Sequence, residues 1–391
     1  MTGKLLVINS LLVALMTTTV FGARQTVTSE QATGRVAKSA ETVLPLNDEQ
    51  SAPSWTDSDR QSLGRATSTS IAPGIAVGYT WYDKQHNGSM GRMVDWGVSD
   101  GPIPGFSVHF AWTWLPEAVT QNRTYGYNIY NATVDSIWEA CVVQPTGEYG
   151  GYVGLDVTAD GYAVVGGNNN QGCGHQAMFY FDPCWWFGFT GTNTVRIPDS
   201  VVAAGTGQDW HVDSVKSAIW PKFRYQDVPG QDHVLHVFSQ VSEPGAGDAQ
   251  AIIYFRKVGL YADGDWDYPP YVVDTVFDIA QDVACSSTDG KVALVWFANL
   301  PDPGDCDTCS SQTGWPFVQW DNDVYYQISY DYGATFEPRV NVTMNVDGED
   351  GHRPYTDASA LIDSDNNLHI GWGARVWPAN ANTGGPAGQL A

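Results

Sequence analysis

The sequence predicts an all-β chain folded as a β-propeller, and three of its features carry that prediction. From Ile71 onward, short β-branched and aromatic runs alternate with Gly, Pro, Asn and Asp, with almost no helical periodicity. An acidic or polar turn followed by an apolar strand recurs, and its leading residues Asp100, Asp160, Asp232, Asp289 and Asp365 stand 57 to 76 residues apart. A degenerate repeat of that length holds about four strands, the content of one propeller blade. The third feature is the octapeptide Ser329-Tyr330-Asp331-Tyr332-Gly333-Ala334-Thr335-Phe336, which follows the strand-like run Asp323–Ile328 and reads as a hairpin tip. Asp331 can accept backbone N–H groups across such a turn, and Gly333 can supply a positive φ.

The elements follow in order. The strands after the turns are Phe106–Phe110, Ala163–Val165, Val234–Phe238, Val292–Trp296 and Leu368–Trp372. The strands before them, Gly151–Leu155, Ala218–Phe223, Ile279–Ala284 and Tyr355–Ala360, are expected to line the central channel. Tyr125–Tyr130 and Ile252–Arg256 read as third strands. The fifth unit ends near Trp377 without outer strands. Six four-stranded blades are therefore expected, incomplete at the C-terminus by roughly sixty residues, unless Ile75–Trp81 closes the ring from the other end.

Residues 1–23 carry Lys4, a mostly apolar run from Leu5 to Val20, and small residues at Gly22 and Ala23, the pattern of a secretory signal peptide. Residues 24–70, rich in Ser, Thr, Gln, Ala and Asp, read as a flexible leader, and residues 71–391 as the propeller domain. The expectation is a secreted or cell-surface protein with no membrane insertion after signal cleavage. A net charge of −24, from 43 acidic and 19 basic residues, argues against nucleic acid as a partner, because phosphate binding needs a basic surface. The six cysteines (Cys141, Cys173, Cys184, Cys285, Cys306 and Cys309) all lie beyond the leader, and an even number in an exported chain favours disulfides, with Cys173 and Cys184 suited to staple a hairpin.

The octapeptide resembles the Asp box, or BNR repeat, of sialidase-like β-propellers, and the chain is similar in texture to propellers carried by exported multi-domain bacterial proteins. In that family the box, here Ser329, Asp331, Gly333, Thr335 and Phe336, is architectural. The resemblance implies carbohydrate or glycoprotein partners. An enzyme of this kind would use an arginine cluster for a carboxylate, an Asp as acid/base and a Tyr paired with Glu as nucleophile. Val195-Arg196-Ile197-Pro198 resembles the family's F-R-I-P segment. Arg224 and Arg353 lie near inner strands and are further candidates, with Tyr355 as candidate nucleophile and Asp209, Asp213 and Asp357 as candidate acids.

Sixteen tryptophans fit both blade wedges and sugar stacking, and Trp112, Trp114, Trp185 and Trp186 could form one platform. Asp263, Asp265 and Asp267 have spacings that calcium tolerates, although plain turns use the same residues. Two functions remain on this reading. The favoured one is a glycan- or protein-binding propeller, because only one box keeps its full pattern. The alternative is an exo-α-sialidase or related glycoside hydrolase.

Overall fold

In the computed structural model, the described residues are 76–82, 85, 88–99, 105–115, 123–133, 135–137, 141–142, 150–158, 161–170, 175–182, 194–207, 217–242, 250–259, 261, 264–276, 280–299, 322–345 and 351–377. The chain divides into two units, Met1–Arg60 and Gln61–Ala391, and all described residues belong to the second. The predicted signal peptide and leader therefore lie outside the described residues. So do Cys173, Cys184, Cys306, Cys309, Trp185, Trp186, Asp209, Asp213 and Asp263.

Among the described residues of the second unit, the strands form five antiparallel sheets. Blade 1 holds β1 (Val94–Ser99), β2 (Gly105–Trp114), β3 (Thr124–Asn131), β4 (Ser136–Ile137) and β5 (Cys141–Val142). Blade 2 holds β6 (Gly150–Val157), β7 (Ala163–Asn170), β8 (His175–Asp182) and β9 (Thr194–Arg196). Blade 3 holds β10 (Ser217–Gln226), β11 (Val234–Ser242), β12 (Gln250–Val258), β13 (Asp265–Trp266) and β14 (Tyr271–Val276). Blade 4 holds β15 (Gln281–Cys285), β16 (Val292–Asn299), β17 (Asn322–Ser329) and β18 (Val340–Asn341), and blade 5 only β19 (Gly351–Ile362) and β20 (Leu368–Trp377).

The all-β propeller is thus observed, and the expected inner, second and third strands fall where the repeat puts them. The blade count is corrected: the described residues form five blades of five, four, five, four and two strands, in place of six four-stranded ones. Each turn-and-strand unit makes one sheet, and the Ile75–Trp81 stretch does not add another. Its described residues lie across blade 1, where Trp81 N–H donates to the Leu115 carbonyl at 3.0 Å and the Asn128 amide donates to the Val77 carbonyl at 2.6 Å. Among the described residues, one short helix stands out against the sequence's near lack of helical periodicity. It is α1 (Asp199–Thr206), closed by Gly207 at φ 70°, and it plugs Val201 and Val202 into the core beside blades 2 and 3. Eight residues are too few to raise a helical period above the β-strand background.

Inner strands β1, β6, β10, β15 and β19 stand side by side in chain order. A separate hydrophobic cluster fills each of the four blade interfaces, for example Phe179 and Phe181 of blade 2 against Phe223 and Tyr225 of blade 3. Blades 2, 3 and 4 each lie between two neighbouring blades, so burial of these clusters is what holds the blades together.

The octapeptide forms a closed turn. Ser329 Oγ accepts from Gly333 N–H at 2.8 Å and donates to Asp331 Oδ1 at 2.8 Å, while Asp331 accepts Thr335 N–H at 2.8 Å and the Thr335 hydroxyl at 2.6 Å. Partial burial pushes the Asp331 carboxyl up, but the hydrogen bonds from Thr335 and Ser329 outweigh it and hold the group below its ordinary value. Phe336 tucks back onto Tyr254 and Tyr271, at centroid distances of 5.0 and 5.3 Å. Gly333 sits at φ 79°, and a Cβ there would run into the Tyr254 hydroxyl. Gly333→Ala is therefore expected to cost roughly 2–4 kcal/mol, from αL strain plus overpacking, measured by urea unfolding. A change under about 0.5 kcal/mol would show that the turn can move away from Tyr254.

Candidate functional site at the channel mouth

The residues on the channel axis are charged. Asp95, Asp156, Arg224 and Asp282 occupy matching places on β1, β6, β10 and β15, and each carboxylate reaches the next blade. Val157 N–H donates to Asp95 Oδ2 at 3.1 Å, Tyr225 N–H to Asp156 Oδ2 at 2.6 Å, and Ala360 N–H to Asp282 Oδ2 at 2.8 Å. Arg224 takes the third-blade place and lies between two of the acids, with Nε 4.0 Å from Asp156 and Nη2 3.8 Å from Asp282. Beside it, Lys222 donates to the Met90 carbonyl. Burial pushes Asp156 up to about 7 against the pull of Arg224, and pushes Lys222 down to about 8 against the pull of Asp282. A narrow cleft lined by Gly91, Arg92, Gly154, Lys222, Arg224 and Asp282 marks this axis.

At the end of the channel where the inner strands begin, aromatic side chains recur. β6 is bulged between Gly151 and Gly154, β10 between Ile219 and Lys222, and β19 between Pro354 and Ala358. The bulges place Tyr152, Trp220 and Tyr355 at corresponding points. Tyr152 and Trp220 have φ of 56° and 53°, a region that costs a bulky residue about 1 kcal/mol or more. Surrounding groups hold them there. Tyr152 N–H donates to Thr113 Oγ1 at 3.1 Å and Trp220 N–H to Asn168 Oδ1 at 2.8 Å, each acceptor coming from the second strand of the preceding blade. From the following blade, the Gln281 side chain donates to the Trp220 carbonyl at 3.0 Å.

The two rings meet edge-on at 6.2 Å and remain partly exposed. The Arg123 guanidinium lies 5.3 Å from the Tyr152 ring centre and 5.0 Å from that of Tyr82, whose hydroxyl accepts from Arg123 at 3.0 Å. The Tyr82 hydroxyl is held above its ordinary value, by burial first and then by Tyr152. The result is an aromatic, hydrogen-bonding rim set in place before any ligand arrives.

The structure separates the sequence-derived candidates. Arg224 is on the axis, and Arg353 is buried in β19. Tyr355 is at the rim, on the β19 bulge with the exposed Asp357. Arg196 stands apart on β9, the fourth strand of blade 2, bound to Asp199. Trp112 and Trp114 project from β2 on blade 1. Asp267 is ion-paired with Arg256 at 2.8 Å, and Asp265 is exposed. Among the described residues, no group of three or more His, Cys, Asp or Glu is placed to hold a metal ion. Cys285 is a free thiol, raised by burial, near the axis. Tyr82, Arg123, Tyr152 and Trp220 were missed as site residues. A sequence signal existed for two of them: an aromatic residue recurs just inside the start of successive inner strands.

No protein-family model matches the chain, and no curated protein matches it. Among solved structures, it is similar to a protein of unknown function from Dyadobacter fermentans, at 13% identity and TM-score 0.44, covering 79% of this chain and 83% of that one. It is also similar to the α-L-arabinofuranosidase Arb93A from Fusarium graminearum, at 10% identity and TM-score 0.40, covering 76% and 80%. A third is the β-propeller domain of the Trilobed protease from Pyrococcus furiosus, at 10% identity and TM-score 0.28, covering 73% and 80%.

Proposed function

We propose that this chain is an exported carbohydrate-binding propeller whose saccharide site is the channel mouth. The observation that carries the reading is the pair Tyr152 and Trp220, bulky rings held at positive φ by side chains of neighbouring blades. Strain of this kind persists only where surrounding structure over-determines it, and it marks places where a side chain must be presented in one orientation. Half-exposed aromatic faces stack on the apolar faces of pyranose or furanose rings, and the partly exposed Arg123 and Tyr355 lie at the rim to meet sugar hydroxyls. The overall negative charge favours neutral saccharides over polyanions at long range.

Binding is preferred to hydrolysis because Arg196, the residue of the R-I-P segment, lies on an outer strand with Asp199 and away from Arg224 on the axis. The test is a glycan array followed by calorimetry. Trp220→Ala and Tyr152→Ala are each expected to weaken the best saccharide roughly 10- to 100-fold while far-ultraviolet circular dichroism stays unchanged, in line with about 1–3 kcal/mol for a lost ring. Equal affinity in wild type and both variants would sink the site. Turnover of a fluorogenic sialoside by the wild type, lost on Arg353→Ala, would establish the hydrolase instead.

A further inference from the structure

Just below its rim the channel narrows to almost nothing. Two residues past Tyr152 and Trp220, Gly154 of blade 2 and Lys222 of blade 3 close on the start of blade 1. A Cβ on Gly91 would lie 2.6 Å from Gly154 Cα, Leu155 N–H donates to the Arg92 carbonyl at 2.6 Å, and the Lys222 amine reaches the Met90 carbonyl. The cleft left on the axis holds about 160 Å³ of empty space. Ligand pockets start at roughly 300 Å³, so the end of a saccharide chain finds no room to bury itself there.

The rim above this floor is a row that crosses three blades. It begins at Trp220 on blade 3 and steps 6.2 Å to the Tyr152 ring on blade 2. From that ring it is 5.3 Å to the Arg123 guanidinium, and from there 5.0 Å to the Tyr82 ring over blade 1. Each step is about one ring wide, and all four side chains are partly exposed. Trp81, 37% exposed, prolongs the row along residues 76–82, which carry no charged side chain. A single sugar covers only part of it.

Thr113 holds the two halves of the row in register. Its Oγ1 accepts from Tyr152 N–H, its own N–H donates to Gln85 Oε1 at 3.1 Å, and its carbonyl accepts from the Thr80 hydroxyl and the Gln85 amide, both at 2.9 Å. Thr80 Oγ1 accepts from Tyr82 N–H at 3.0 Å, and the Gln85 amide donates to the Tyr82 carbonyl at 2.8 Å. Tyr82 is therefore fixed relative to the strained pair. Stacking along a row ordered in advance costs little further entropy.

We infer that the mouth takes an internal stretch of a neutral oligo- or polysaccharide, laid across the rim from blade 3 to blade 1, and does not grip a chain end. The inference rests on the saccharide reading of the rim and adds the length and placement of the occupant. Successive units lie over Trp220, over Tyr152 and at the Arg123 and Tyr82 pair. The closed floor keeps the chain at the surface, where it can continue past the rim in both directions.

The test titrates the full chain, by calorimetry, with gluco-, xylo-, manno- and arabino-oligosaccharides of one to six units and with the matching soluble polysaccharides. In the series that binds, affinity should rise roughly tenfold or more between one and four units. The polysaccharide should carry many protein copies, in number proportional to its length. Tyr82→Ala, with its fold checked by circular dichroism, should flatten the rise with length, whereas Trp220→Ala should weaken every member. Equal affinity for one and six units, or one protein per polysaccharide chain whatever its length, would overturn the inference, while continued weakening by Trp220→Ala would leave the saccharide site standing. Binding of none of these sugars, or binding untouched by Trp220→Ala, would remove the site and the inference with it.

Discussion

Replacing Arg224 by Met is expected to lower the unfolding free energy by about 3–5 kcal/mol, the cost of removing one partner from a buried ionic cluster. Arg224 stands between Asp156 and Asp282 on the axis, and all three are at least nine-tenths buried. Without the guanidinium, two carboxyls remain in a site that water reaches poorly, and Asp156, already pushed up to about 7, would have to hold its proton. Urea unfolding followed by circular dichroism measures the loss. Because the cost comes from the stranded acids, Arg224→Met combined with Asp282→Asn should lose less than Arg224→Met alone. A single-variant loss below about 1 kcal/mol, or simple additivity in the pair, would mean that the axial charges are solvated and act independently.

Acid should destabilise the protein through its buried histidines, and His236→Gln should remove a measurable share of that effect. His236 accepts from the Tyr254 hydroxyl at Nδ1 (2.6 Å), and its Nε2–H donates to Gln226 Oε1 (3.0 Å). That assignment follows because the Gln226 amide nitrogen is committed to the carbonyls of Ser286 and Asp289. His109 is likewise buried, 2.6 Å from the Tyr127 hydroxyl. Burial pushes both imidazoles down to about 3. Both are neutral when folded, while the unfolded chain takes up protons near the ordinary value of about 6.5. Stability is therefore present above that value and is lost as pH falls from it toward 3. Asp156 works in the opposite sense, since its raised value makes the folded form hold a proton as pH drops below about 7. Comparing variants cancels that contribution. His236→Gln will be less stable at neutral pH, yet its loss between pH 6.5 and 4.5 should be smaller than wild type's by on the order of 2–3 kcal/mol. Parallel stability curves would show that His236 is protonated inside the fold.

The strands were legible because their signals are local. Alternation along Asp232–Phe238 and Asp289–Trp296, with Asp and Gly at the turns, specifies a strand and its reversal within a few residues. The Ser329–Phe336 turn was equally open to reading, since the side-chain hydrogen bonds of Ser329, Asp331 and Thr335 that close it join residues at most four apart in sequence. The number of blades was not, because a repeat fixes what one unit contains and says nothing about how units share a ring. The site was hidden for a related reason. Tyr152 and Trp220 read as ordinary inner-strand residues, and what distinguishes them is a bulge and a positive φ fixed by Thr113 and Asn168, more than thirty-five residues away. Arg224 looked like a carboxylate ligand for a substrate, whereas its position commits it to Asp156 and Asp282 of the protein itself.

The uneven strand count has a mechanical side. Every blade is a run of consecutive strands, and among the described residues no strand from one end of the chain completes a sheet at the other. Among the described residues, blade 5 is the hairpin of β19 and β20, and it packs on blade 4. Tension applied at the C-terminal side would unzip β20 from β19 one rung at a time, then lift β19 off Asp282, and only afterwards load the thicker blades. Rupture would advance toward the N-terminus as a sequence of small yielding events, with the strained aromatic rim of blades 2 and 3 among the last parts to give way.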